Sequence, residues 1–534
     1  MQQGFIVRRS AYLAAFAALV LAVGPVLAQD GPPQRGGTII LTLGNDPPTI
    51  NPVVSTGVPD ASIGCILYQG LTRVTGTLEV APLLAKSWTI SPDGKTYSFE
   101  LTQASWHDGK PFTSADVKWS LMEANAKISP PFAAAARLLE SVDAPAPDKV
   151  VINLKQPFGP LLISLACGWG GSILPKHVFE GTNIPQNPGS NVSPIGTGAF
   201  TLKEWRRGDH LRLVRNPNYW EPGKPYLDEV VAKIIGQPAA RVQALQAGEV
   251  DFINQFYMPN NEYQTVRDNP KLRLMKATNA PNLDYLAFNV LRKPLDDKRV
   301  RQALLMATDR DYLLKNAWLG NGQVPTMPFT SQIPWAAAGP DVDFNKTYPF
   351  DIAKANALLD DAGLKAGADG TRFKVRMNYA TDESDKQTVA SALKGMWRAV
   401  GVDVDIEALD RVTHMKKVYT DRDFDVTVNA YSTLNDPALG LARIFTTGGI
   451  GNLYANPAGY SKPEVDDLFR KAEVAPVQAD RGALYRQVQS ILAVDLPTVP
   501  LREKFTFNGV SAKLMGMQVE TDLYRGWTDA WLAK

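Results

Sequence analysis

Cysteine and histidine are scarce in this chain of 534 residues: two cysteines, Cys65 and Cys167, and four scattered histidines, His107, His177, His210 and His414. The scarcity argues against a Cys-rich zinc site and an HExxH helix, so no metal and no cofactor is expected. Charge of one sign is missing too. Lys and Arg number 56 against 54 Asp and Glu, a balance that offers no electrostatic footprint to a polyanion, and no nucleic-acid partner is expected. Beyond the N-terminal region no apolar run reaches the roughly 18 residues of a spanning helix. GxSxG, GxxxxGK[ST], CxxC and GxGxxG signatures are absent. The stretches Gly168 to Gly171, Gly196 to Gly198 and Gly448 to Gly451 read as turns, and no catalytic residue stands out.

What is present is an ordinary folding composition, 45% hydrophobic and 21% charged. A chain this long exceeds one hydrophobic core, so two or three lobes are expected, with a ligand cleft between them. Arg8 and Arg9 precede the apolar run Ala11 to Val23, then Gly24-Pro25 and Val26-Leu27-Ala28. This predicts a signal peptide over residues 1–28, cleaved before Gln29, and a periplasmic product. The general secretory route is favoured, although Arg8-Arg9-Ser10-Ala11-Tyr12-Leu13 loosely resembles a twin-arginine signal. An oxidising compartment permits a single Cys65–Cys167 bridge; two buried thiols acting as small hydrophobes is the other reading.

Along the mature chain strands alternate with helices. Gly37 to Leu43 reads as a strand stopped by Pro47-Pro48, Tyr97 to Leu101 follows the turn Ser91-Pro92-Asp93-Gly94, and Thr113 to Asp116 forms a capping box. Arg299 to Trp318 predicts one amphipathic helix, and helices over Asp351 to Ala362 and Lys386 to Val400 close at Gly363 and Gly401. The alternation predicts α/β lobes with largely parallel sheets. Three proline-rich patches, 141–147, 185–194 and 325–349, are the candidate crossings and long loops.

Several blocks carry a resemblance. Pro82 to Trp88, Ser91 to Phe99 and Trp106 to Val117 stand in the order of a signature of the peptide/nickel-type, family 5 solute-binding proteins of ABC importers. The match continues through Gly198 to Trp205, Arg215 to Trp220, Gly248-Glu249-Val250-Asp251, Asp297 to Leu304 and Tyr485 to Pro500, covering about Gly37 to Trp527. The resemblance implies an α/β, two-lobed periplasmic-binding-protein-like fold of type II, cluster C, with an extra inserted domain in the first lobe. It places 29–68, 176–281 and 501–534 in the first lobe, 69–175 in the inserted domain and 282–500 in the second lobe. A monomer is implied that closes on a solute and hands it, unaltered, to permease subunits of the inner membrane. Two other classes stay open: a secreted hydrolase with a constellation not visible in sequence, and a chemosensory or structural relative.

Peptide-binding members of that family carry an acidic anchor for the peptide's ammonium group in the loop after the Phe-Asp-Val strand. Here Phe424-Asp425-Val426 leads to Tyr431-Ser432-Thr433-Leu434-Asn435-Asp436-Pro437, with Leu434 or a gap at the anchor. Asp436 either substitutes from a shifted loop or shapes the turn. Nickel-chelate members use a histidine or cationic contacts, and His414 is the only histidine in the second-lobe region. The family-equivalent cleft positions are Thr56, Gly57 and Val58, then Trp169, then Phe256 and Tyr257, and across the hinge Asn282, Tyr285, Tyr431, Asn435 and Asp436. Aromatic walls with polar amides imply a medium-sized, partly apolar solute with a polar tag: a modified peptide, an opine-like conjugate or an oligosaccharide.

Overall fold

The computed structural model describes residues 32–55, 57–277, 281–381, 384–517 and 525–533. The expected signal peptide and Thr56 lie outside the described residues. Two sheets dominate. The first has seven strands in the order Leu272–Lys276, Phe507–Ser511, Phe252–Ile253, Thr38–Leu43, Glu229–Ile234, His210–Arg215 and Phe200–Arg206. The second has five, ordered Val402–Leu409, Phe373–Ala380, Val426–Ser432, Asn282–Phe288 and Thr498–Lys504. Each supports its own core. Ile39, Leu41 and Leu43 pack with Phe200, Leu213 and Val230 in the first, and Val375, Met377, Leu393 and Trp397 with Val426 and Val428 in the second.

The expectation of largely parallel sheets is corrected. Parallel pairing occurs at Thr38–Leu43 with Glu229–Ile234 and Phe252–Ile253, and at Phe373–Ala380 with Val402–Leu409 and Val426–Ser432. The other ladders of the two sheets are antiparallel. For one ladder the physical reason is connection length: Arg207-Gly208-Asp209 joins two strands as a tight turn, which makes them antiparallel because a parallel pairing needs a crossover of about a dozen residues or more. Most of the others pair strands far apart in the chain, whose relative direction local alternation does not carry. A separate four-stranded sheet, Ala85–Ile90, Thr96–Leu101, Lys149–Leu154 and Leu139–Ala146 in spatial order, is wholly antiparallel. Tyr97, Phe99, Val150 and Ile152 on one of its faces bury against Val117, Leu121 and Phe132.

Local signals explain the helices. Asp116 accepts the Thr113 amide at 2.9 Å, opening the helix Ser114–Trp119. Asp351 caps Ile352–Asp361 by accepting the Lys354 amide at 2.9 Å. The single helix expected over Arg299 to Trp318 is two, Lys298–Met306 and Arg310–Asn316. Thr308 turns its hydroxyl back to the Leu304 carbonyl at 2.7 Å, and Asp309 caps a new helix through the Tyr312 amide, a local competition with helix continuation. Cys65 and Cys167 are bonded, with Cα atoms 5.8 Å apart across a separation of 102 residues. The bridge pins the helix Val58–Leu67 to the chain returning from the inserted sheet.

Candidate functional site

The two large sheets are joined by two crossings, Ala277 to Pro281 and Phe505 to Thr506, between strands ending at Lys276 and Lys504 and strands beginning at Asn282 and Phe507. The second crossing lies beyond the boundary expected at 500/501, because Glu503 and Lys504 still pair with Leu283 and Asn282 in the second sheet. The Ala277 amide donates to the Thr506 carbonyl at 2.9 Å, which ties the first crossing to the second at its start. The parallel strands end toward them: Leu43, Ile234 and Ile253 in the first lobe, Ala380, Leu409 and Ser432 in the second. Ligands in open α/β sheets sit outside the carboxyl ends of the strands, and here two such edges share one hinge.

On the first-lobe edge, Gly57 and Val58 open the helix Val58–Leu67, and a Cβ on Gly57 would lie 2.3 Å from the Asp60 carboxylate. Asp60 accepts the Thr49 amide at 3.3 Å and the Ser55 hydroxyl. Burial raises its pKa despite these bonds. Phe256 is 52% exposed beside the hinge. Tyr257 lies under Gly44, where a Cβ would stand 2.7 Å from the ring, and burial pushes its phenol up to about 12. Arg241 draws this edge together by donating to the carbonyls of Tyr257, Ile235 and Gly236 at 3.0, 2.7 and 2.9 Å.

The second-lobe edge is built on the loop Ser432 to Pro437. Thr433 donates its amide and hydroxyl to Pro281 in the first crossing, at 2.9 and 3.1 Å. Leu434 and Asn435 both have positive φ, 51° and 61°, a backbone region unfavourable for a leucine and held only by surrounding structure. Asp436 is 1% exposed, and its two oxygens take Arg481 Nη1 and Nη2 at 2.9 and 2.6 Å. That bidentate pair commits the Asp436 carboxylate to the protein rather than to the cleft. Asn282 starts the strand leaving the hinge. Tyr285 and Tyr431 meet at a tilt of 59°, with centroids 4.9 Å apart, and are nearly fully buried.

Leu78 of the inserted domain shares their core. It sits at the tip of the hairpin Thr72–Val74/Val80–Pro82, at φ 62°, 1% exposed, in one apolar cluster with Leu283, Tyr285 and Tyr431 of the second lobe. In exchange Leu439 packs against the cluster of Val74, Ile163 and Ala166, as Trp169 also does. The Gly159 amide donates to the Glu473 carbonyl at 2.6 Å. Trp169 and the Tyr285/Tyr431 pair thus belong to two separate apolar clusters, each of which joins the inserted domain to the second lobe. Leu78 carried no local signal, since a leucine in a turn reads as incidental. Lys276, whose ammonium lies 3.5 Å over the Phe505 ring at the hinge, was equally silent.

His414 is fully buried beneath the second sheet, its Nε2 3.0 Å from the Thr427 hydroxyl. Among the described residues no group of three or more His, Cys, Asp or Glu is placed to hold a metal ion, and no helix is long and apolar enough to cross a membrane.

The family model of bacterial extracellular solute-binding proteins, family 5 (middle), matches residues 79–452. The chain belongs to this family. It is 26% identical over 507 residues to the glutathione-binding protein GsiB of Escherichia coli strain K12, covering 92% of this chain and 94% of GsiB. The oligopeptide-binding protein AppA of Bacillus subtilis is 27% identical over 523 residues, 94% of this chain and 93% of AppA. The AppA structure with a nonapeptide superposes with a TM-score of 0.68 at 26% identity, covering 94% of this chain and all of that one. The unliganded open form of the murein tripeptide-binding protein MppA gives 0.81 at 23% identity, covering 94% and 98%. The two-lobed fold and the family together make this a solute-binding component of an ABC importer.

Proposed function

We propose that the protein is exported to the periplasm, captures a medium-sized, partly apolar solute between its lobes as a monomer, and delivers it chemically unchanged to a membrane permease. The observation that carries this reading is the pair of strand-end edges facing one another across a double crossing. Both edges carry exposed apolar groups: Phe256 on the first lobe, 52% exposed, and Val412 and Tyr454 on the second, 78% and 51% exposed. Such surface is costly in water and is removed from it when lobes close on a ligand. The better superposition on an open, unliganded relative than on a peptide complex supports lobes standing apart. Closure is then a population shift driven by the ligand's greater affinity for the closed form.

Relatives named for glutathione and oligopeptides support a peptide-like solute. The loop chemistry narrows it. Leu434 offers no carboxylate and Asp436 spends its own on Arg481, so an ammonium group buried against this loop would go unpaired, at a cost of several kcal/mol. A solute with a blocked or absent amino terminus fits better: a modified peptide or an opine-like conjugate, with a neutral oligosaccharide as the remaining member of the class. Mass spectrometry of molecules retained by protein purified from its native periplasm tests the reading, with small-angle scattering on adding back what is found. A retained solute of this class that compacts the protein is the expected result. A rigid profile, or a compound released in altered form, would overturn it.

A further inference from the structure

The short helix Ala442–Phe445 carries Arg443, which local sequence gave no reason to notice. Its Nε donates to the Gly440 carbonyl at 3.2 Å, Nη1 to Tyr454 at 2.8 Å and Nη2 to Ser432 at 3.2 Å. A guanidinium has five N–H donors, so one remains on each terminal nitrogen. All three acceptors are neutral, and among the described residues no carboxylate pairs with Arg443. The acid of the same loop, Asp436, belongs to Arg481. The surrounding phenols do not neutralise it either: burial pushes Tyr285, Tyr419 and Tyr431 up from their ordinary value while the Arg443 charge pulls the other way.

Its position is on the hinge-facing edge. Ser432 ends the strand Val426–Ser432, Tyr454 is 51% exposed, and Arg443 is itself half-buried. Arg301 makes the contrast. Nearly buried, it spends Nε and both terminal nitrogens on the carbonyls of Asp495, Leu496, Leu295 and Asp296, as a structural arginine does. Arg443 is instead held by three neutral carbonyls, with one donor left on each terminal nitrogen and no carboxylate among the described residues to balance its charge. A planar fork held in place loses little further freedom on binding, and a carboxylate matches its geometry.

We propose that Arg443 is a preformed carboxylate anchor on the second-lobe edge, and that the captured solute carries the carboxylate it receives. The assignment rests on the solute-capture reading above and selects within it, favouring the modified peptide or opine-like conjugate over the neutral oligosaccharide.

Two experiments test it. In the first, arginine-labelled protein is titrated with acetate and, separately, acetamide, following the Arg443 guanidinium resonances by NMR, assigned by their loss in Arg443→Gln or Arg443→Lys. Movement with millimolar acetate and none with acetamide is expected; indifference to acetate overturns the anchor. In the second, matched acid and amide forms of N-acetylated tripeptides and N-carboxyalkyl amino acids are bound to wild type, Arg443→Gln and Arg443→Lys. Acids should lose about 10- to 100-fold in Arg443→Gln, as for a charge-assisted hydrogen-bonded pair, and less in Arg443→Lys, which keeps the charge without the fork. Amide affinity should be the same in all three. Equal losses for acid and amide, or no loss, overturn the anchor. If no compound binds while acetate still moves Arg443, the anion site stands and the proposed solute class is what fails.

Discussion

Asp436→Asn is the substitution that most directly separates scaffold from ligand contact. The side chains of Asp436 and Arg481 are 1% and 5% exposed, and two charge-assisted bonds join them. Asp436 Oδ1 also accepts the Ala438 amide at 2.9 Å, capping the turn that follows the cleft loop. Arg481 reaches further, to the Ala472 carbonyl at 3.0 Å and the Tyr485 hydroxyl at 3.3 Å, with its guanidinium 5.1 Å over Trp335. Removing the carboxylate charge leaves a buried cation without its counter-ion, which costs about 3–5 kcal/mol. Asparagine keeps one acceptor for Arg481 or Ala438, so the loss should fall at the low end, about 3 kcal/mol. If the second lobe melts as its own unit, that is roughly 6–12 °C in Tm. Calorimetry and urea titration read it. The double variant Asp436→Leu/Arg481→Met should be less destabilised than Asp436→Asn, since no orphan charge remains. A loss below about 1 kcal/mol, or unchanged stability with weakened solute retention, would refute the reasoning and return Asp436 to the solute.

Leu78→Ala should cost about 2–5 kcal/mol, as for a fully buried leucine, and should raise hydrogen exchange at Tyr285 and Tyr431 rather than in the sheet Ala85–Leu154; unchanged exchange there would mean the hairpin is no buttress. Cys65→Ser with Cys167→Ser should cost about 2–5 kcal/mol, given the long loop the bridge closes, and the oxidised wild type should show no titratable thiol before unfolding. His107 accepts the Gly196 amide at Nδ1, 3.1 Å, and meets the Gly198 carbonyl at Nε2, 3.0 Å. Protonation would set two donors against each other, and burial lowers its pKa to about 4. The sign follows: the unfolded chain takes up the proton first, so this contribution is full above pH 6.5 and lost as pH falls toward 4, about 3 kcal/mol in all. A stability profile of His107→Gln should lack that slope; a slope equal to wild type would place the titration elsewhere.

Much of the architecture was legible in the chain itself because its signals are local. Asp and Thr caps, glycine stops and alternating apolar residues act within a few positions, so the strand Thr38–Leu43, the helix Ile352–Asp361 and the hairpin after Gly94 could be read directly. The ordered blocks from Pro82 to Pro500 carried the family. Where two local signals compete, reading fails, as at Thr308-Asp309, where a new cap breaks a pattern that periodicity alone would continue. The disulfide was stated only as one of two options, since pairing depends on distance and residues 102 apart have none in a sequence.

The site is the opposite case. The resemblance placed tyrosines and asparagines near a cleft, but whether a tyrosine faces solute or core depends on what packs with it, and Tyr285 and Tyr431 share their core with Leu78, some two hundred residues or more away in the chain. Asp436 reads in sequence either as a substitute anchor or as a turn former, and the fold decides by bringing Arg481 to it. Arg443 carries no signal in the sequence; it is marked out only by the carbonyls of Ser432, Gly440 and Tyr454 that hold it, with no acid among the described residues beside it. Backbone preference and apolar period are properties of neighbouring residues, and sequence determines them. Electrostatic partnership and burial are properties of groups brought together only by the closed chain, and the tertiary structure alone decides them.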